Sequence, residues 1–200
     1  LPLPDSGVLA FFYDAGQETW GYDPKHKGHA RVLYFAGAPG DLRRQEFPAA
    51  LPQEARFKPC KLTLQLADTF PAPDSEAVAA QGWSDADGTE YETFRDALDE
   101  ARGETVHQLG GLADPIQGEM ELECQLVTNG LYCGDATGYN HPRRKELEDG
   151  ALDWVLLLQV DSDDNAGWMW GDSGRLYYWI RKQDLEKRDF DKVWLILQCY

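Results

Sequence analysis

Asp153-Trp-Val-Leu-Leu-Leu-Gln-Val-Asp161 decides the fold. Apart from Gln159, everything between the two aspartates is apolar, and a short apolar run bounded by charge reads as a buried strand. Two more such runs follow, Gly174 to Arg181 and Lys192 to Leu197. Working back toward the start, Gly7-Val-Leu-Ala-Phe-Phe-Tyr13 and Arg31-Val-Leu-Tyr-Phe35 are two further strands. Leu62, Leu64 and Leu66 alternate with polar neighbours, which predicts a half-buried strand over Phe57 to Leu66. Glu119 to Thr128 also reads as a strand. The clearest helix runs from about Thr89 to Ala101, with Tyr91, Phe94, Ala97, Leu98 and Ala101 on one face. Thr89 and Glu92 form a capping box for it, and Gly103 stops it. Pro142 to Glu148 is a short second helix. Strands outnumber helices without alternating regularly with them, so the class is α+β with mostly antiparallel or mixed sheets.

The two ends of the chain share an order of features. Phe12-Tyr-Asp14 leads through a loop to Trp20-Gly21 and the strand Arg31 to Phe35. Gln159-Val-Asp161 leads to Trp170-Gly171 and the aromatic strand Arg175 to Trp179. The reading is one domain over residues 1–200, built from pseudo-repeated halves at about 1–70 and 105–200. A helical insert occupies about 73–103. Gly37 to Pro59, rich in Pro and Ala, is an irregular connection.

The 200 residues carry 35 Asp and Glu against 19 Lys and Arg, a formal charge of -16. That balance argues against binding nucleic acid backbones or anionic membranes, which need cations at the contact, and favours a basic protein partner. No apolar run reaches the roughly 18 residues of a membrane span, and no basic-then-apolar leader is present. Cys60, Cys124, Cys133 and Cys199 contain no C-x-x-C pair, so reduced structural thiols in a cytoplasmic protein are expected. Leu1 in place of Met, with a strand following almost at once, implies that an N-terminal part is absent.

His107-Gln-Leu-Gly-Gly111, Ile116-Gln117, Trp154 through Asp164 and Trp170-Gly-Asp-Ser-Gly-Arg-Leu-Tyr-Tyr178 occur in that order, followed by Asp184-Leu185 and Phe190. Together with Gly7-Val-Leu-Ala-Phe-Phe12 the series resembles the bacterial YwqG family, also called DUF1963. The resemblance implies a strand-rich, duplicated α+β fold in a cytoplasmic bacterial setting. It supplies no reaction. The association of some members with polymorphic-toxin gene neighbourhoods implies an immunity role. The family's usual preceding segment, with Gly-Gly and Trp-Pro motifs, is not in this chain.

Candidate chemistry falls into two groups. Asp161, Asp163 and Asn165, with Asp172 twelfth, follow the spacing of a calcium loop. They lack its Gly at position six and its Glu at twelve, so a polar loop capping its own amides competes with a divalent-cation site. His107 before Gly110 and Gly111 could serve as a general base, with Gln117, Gln159 and Trp170 lining a ligand pocket between the halves. Gly171-Asp-Ser-Gly174 matches a serine-protease tetrapeptide, yet no partner His motif accompanies it. His26-x-x-His29 lacks a third ligand, Gly37-Ala-Pro-Gly-Asp41 lacks a phosphate-loop Lys, and Arg143-Arg-Lys145 reads as surface. No catalytic set is assembled and no cofactor is expected beyond such a cation. The expectation is therefore a cytoplasmic protein-binding module, such as an immunity-type protein neutralising a basic toxin. The alternative is a small-molecule or cation-binding enzyme.

Overall fold

A computed structural model describes residues 1–103 and 105–200. In chain order its strands and helices are β1 (Val8–Phe12), β2 (Arg31–Phe35), α1 (Glu76–Ala79), α2 (Asp85–Arg102), β3 (Gln108–Leu109), α3 (Glu121–Thr128), α4 (Ala136–Tyr139), α5 (Arg144–Leu147), β4 (Trp154–Asp161), β5 (Arg175–Arg181), α6 (Lys182–Glu186) and β6 (Trp194–Gln198). β1 and β2 form an antiparallel hairpin with Val8 opposite Phe35. The other strands make an antiparallel sheet in the order β3-β4-β5-β6. The class is α+β, as the sequence indicates.

The sheet is covered on both sides, which is why β4 is almost continuously apolar rather than alternating. On its first face Trp154, Leu156, Tyr177, Trp179, Trp194 and Ile196 pack beneath Met120, Cys124 and Val127 of α3 and its approach. On its second face Leu157, Leu176, Tyr178, Ile180, Leu195 and Leu197 meet the β1–β2 hairpin through Leu9, Phe11, Val32 and Tyr34. Phe11 sets its ring edge-on to Tyr178 at 5.2 Å. The loop between β1 and β2 also reaches the sheet. Leu197 on β6 donates its amide to the Trp20 carbonyl, and the Trp194 indole donates to the Gly21 carbonyl. Gly21 has φ +96°, and a Cβ there would collide with the Leu195 carbonyl, so only glycine fits.

A bulge interrupts the β4–β5 register between Leu156 and Leu158. Without it, Gln159 and Asp161 would face the hairpin. With it, Gln159 lies opposite Tyr177 and Asp161 opposite Arg175, on the α3 side of the sheet.

Three expectations are corrected. Glu119 to Thr128 is not a strand, since Glu121–Thr128 is helical and buries Cys124, Gln125, Leu126 and Val127 consecutively. Phe57 to Leu66 forms no strand. Phe57 packs edge-on to Trp168 and Trp170, after which Leu62, Leu64 and Leu66 are 63%, 81% and 106% exposed. The main helix starts at Asp85, capped by Ser84 and Asp87 in a reciprocal box, while Thr89 returns its hydroxyl to the Asp85 carbonyl. Gly103 ends that helix as expected, at φ +88°. Cys124, Cys133 and Cys199 are buried free thiols and Cys60 is exposed. Among the described residues no helix is long and apolar enough to cross a membrane.

Candidate functional site

The bulge gathers a row of buried polar side chains at one end of the first face. Gln159 and Gln198 sit in strands whose neighbours are apolar, and a buried amide in such a place must find partners. Both find them on the backbone of residues 106–118. Gln159 accepts the Asp114 amide and donates to the Val106 carbonyl, each at 3.0 Å. Gln198 accepts the amides of Ile116 and Gln117 at 2.9 Å and donates to the Gly118 carbonyl at 3.0 Å. Tyr177 donates its hydroxyl to the Asp114 carbonyl at 2.8 Å. Beyond the short pairing of β3 with β4, side chains thus do for this segment what a neighbouring strand would otherwise do.

Charges reinforce the clamp. Arg175 donates from Nε to Asp161 at 2.9 Å and from Nη1 to both the carbonyl and the carboxylate of Asp114. Burial opposes the charge on Arg175, yet Asp114 and Asp161 outweigh it and hold its pKa above the ordinary guanidinium value. Asp161 also accepts the Val106 amide at 2.9 Å. From α2, the buried Arg95 reaches the other oxygen of Asp114 at 3.2 Å and the Phe70 carbonyl at 2.9 Å. Asp114 therefore joins the sheet, the 106–118 segment and α2.

His107 belongs to the same cluster. Its Nδ1 accepts the Asp161 amide at 3.1 Å, which places the ring proton on Nε2, 3.2 Å from a carboxylate oxygen of Asp163. That bond, with the Asn165 amide on the other oxygen at 2.7 Å, holds Asp163 below its usual carboxylate range. Both ring nitrogens are engaged by groups of the protein itself. Trp168 and Trp170, stacked with centroids 5.6 Å apart, both donate to the Asp161 carbonyl, at 2.9 and 3.2 Å.

The sequence reading groups His107, Gln117, Gln159, Asp161, Asp163 and Asp172, with Trp170, and of these the structure brings His107, Gln159, Asp161, Asp163 and Trp170 together. Gln117 is held at the end of β6, donating to the Cys199 carbonyl at 2.8 Å. Asp172 is exposed, and its carbonyl accepts the Tyr200 amide. Asp161 and Asp163 already have protein partners, and among the described residues no group of three His, Cys, Asp or Glu side chains is placed to hold a metal ion. Asp114, Arg175, Gln198 and Arg95 were missed. A charged residue opening an otherwise apolar strand, as Arg175 does, is the one signal that could have found them.

A second feature lies on α2. Asp85, Glu92, Asp96 and Asp99 recur at helical spacing along one stripe, the first three exposed. Asp74 joins Glu92 and Asp96 around an open groove of about 400 Å3 that also touches Pro73 and no basic side chain. The arginines of α2 point elsewhere, Arg95 inward and Arg102 to the Asp68 carbonyl.

An α+β fold with a covered antiparallel sheet and a polar clamp over one end defines the class. The family model described as Domain of unknown function (DUF1963) matches residues 1–199, and the chain belongs to that family. No curated protein matches the chain.

Proposed function

We propose that this is a cytoplasmic protein-binding module that docks a basic partner along the outer stripe of α2. The observation that carries this reading is the grouping of Asp74, Glu92 and Asp96 around a groove without a basic side chain, on a chain of net charge -16. Long-range attraction to such a surface raises association rates and falls with salt. The polar residues grouped at the end of the sheet are bonded to backbone and to one another, which supports binding rather than catalysis. An immunity-type role against a basic toxin is one form of the same reading. The shared order of strand, Trp-Gly turn and strand in β1–β2 and β4–β5 supports descent of the two halves from one unit.

The test is capture from an extract of the source cells, by the wild type and by a variant carrying Asp74→Lys, Glu92→Lys and Asp96→Lys. The expected result is a basic protein retained by the wild type, released as salt rises, and absent with the variant. Equal retention by both would overturn the stripe as the docking surface. The enzyme alternative is favoured by the meeting of His107 with Asp161 and Asp163, and is opposed by the full set of bonds on His107.

A further inference from the structure

In one groove the charge balance reverses. A groove of about 570 Å3 opens between the loop before β2, the turn after α3 and the approach to β6. Its charged lining is Lys27, Arg31, Arg181 and Lys192 against Asp191 alone, in a chain where carboxylates outnumber cations 35 to 19. Trp154 and Trp194 form its floor, and the Arg181 guanidinium lies 5.3 Å from the Trp154 ring centroid. Arg181 Nε is shielded from solvent and has no hydrogen-bond partner, the nearest carboxylate being Asp184 at 3.7 Å.

Neutralising the C-terminal end of α3 is the bland explanation for cations here. It does not suffice. The Leu126 carbonyl accepts the Asn129 and Leu131 amides, Val127 accepts Gly130, and Gln125 accepts the Asn129 side chain. These end carbonyls have partners of their own, and none of the four cations supplies them. Four cations line one groove, and Arg181 has only the long contact to Asp184. With an apolar floor and a space within the roughly 300–1,000 Å3 of small-molecule sites, they fit a ligand with strong acceptor oxygens.

We propose that this groove binds a phosphate-bearing small molecule of about nucleotide size, with the guanidinium groups of Arg31 and Arg181 and the ammonium groups of Lys27 and Lys192 around its phosphates. This site is separate from the α2 stripe, and small anions probe it without any protein partner. Trp154 and Trp194 provide the signal.

The experiment is a titration of the full chain with inorganic pyrophosphate and with ADP at low salt, followed by tryptophan fluorescence and by calorimetry. Arg181→Gln, Lys192→Gln and the exposed control Lys145→Gln are compared with the wild type, and a melting curve establishes that each is folded. Saturable binding of either probe is expected, weakened about tenfold by loss of each groove cation, the scale of one charge-assisted hydrogen bond, and unchanged in the control. Lys192 is exposed, so its variant keeps the test open even if Arg181→Gln disturbs the packing on Trp154. No saturable binding of either probe at millimolar concentration, or equal affinity in all variants, would overturn the proposal.

Discussion

Arg175 is the residue on which most of the clamp converges. Removing it strands Asp161 and a carboxylate oxygen of Asp114 in a site where each is largely buried. Breaking a buried pair from one side leaves an uncompensated charge and costs about 3–5 kcal/mol. Arg175→Met is therefore expected to lower unfolding stability by that amount in urea titrations, and a loss under 1 kcal/mol would mean that the clamp contributes little. Glu123 makes a different residue-scale prediction. Burial pushes its carboxyl from 4.5 up to about 7, while the hydrogen bond from Tyr139 opposes the shift. Between those values the folded state holds a proton that the unfolded chain has released, so this residue makes stability fall as pH rises from about 4.5 to 7. The difference amounts to about 3 kcal/mol. Glu123→Gln should remove that part of the slope and be the more stable protein at pH 8. Parallel stability curves for the two proteins from pH 4.5 to 8 would refute it. Nothing in the sequence marks Glu123, because its burial depends on α3 being a helix. His107, Asp161 and Asp163 were legible because their motifs are compact. Their role was not, since it depends on the backbone of residues 106–118 lying within reach.

At the scale of elements, the errors have one physical origin. Met120, Leu122, Cys124 and Leu126 alternate as a strand would, but Met120, Cys124, Val127 and Leu131 also fall at helical spacing. Every member of the second set is buried, whereas Leu122 of the first is only half-buried. A short apolar run satisfies both periods, and packing chooses between them. The opposite case is Leu62, Leu64 and Leu66, where a clean alternation has no sheet to join. Because Leu64 and Leu66 are almost fully exposed, replacing either with Ser should change stability by less than about 0.5 kcal/mol. A half-buried strand would lose considerably more, so chemical denaturation distinguishes the two. The start of α2 offers a sharper check. Ser84→Ala removes the hydroxyl that accepts the Asp87 amide and should cost about 1 kcal/mol, whereas Thr89→Ala leaves the cap intact and costs less. Equal losses would return the cap to Thr89. β4, β5 and β6 were legible because strands buried on both faces need no alternation, and fifteen of their twenty residues are apolar. The bulge in β4 was not, since a one-residue offset leaves no mark in a run of three leucines.

At the scale of the whole molecule, the question is whether the -16 charge acts as a diffuse field or through a particular surface. A diffuse excess repels itself within the folded chain, and that repulsion weakens as the Debye length falls from about 30 Å at 0.01 M salt to about 8 Å at 0.15 M. The melting temperature of the wild type is accordingly expected to rise over that range. The variant with Asp74→Lys, Glu92→Lys and Asp96→Lys has a net charge less negative by six, so its melting temperature should start higher and rise less. Identical salt responses would show that these three carboxylates are too far from other charges to strain the fold. The two measurements separate what the sequence alone cannot. If the variant gains stability and loses its partner, the acidic stripe is held against a folding cost, as expected of a binding surface. If it gains stability and keeps its partner, the excess acid is a property of the molecule at large and the docking surface lies elsewhere.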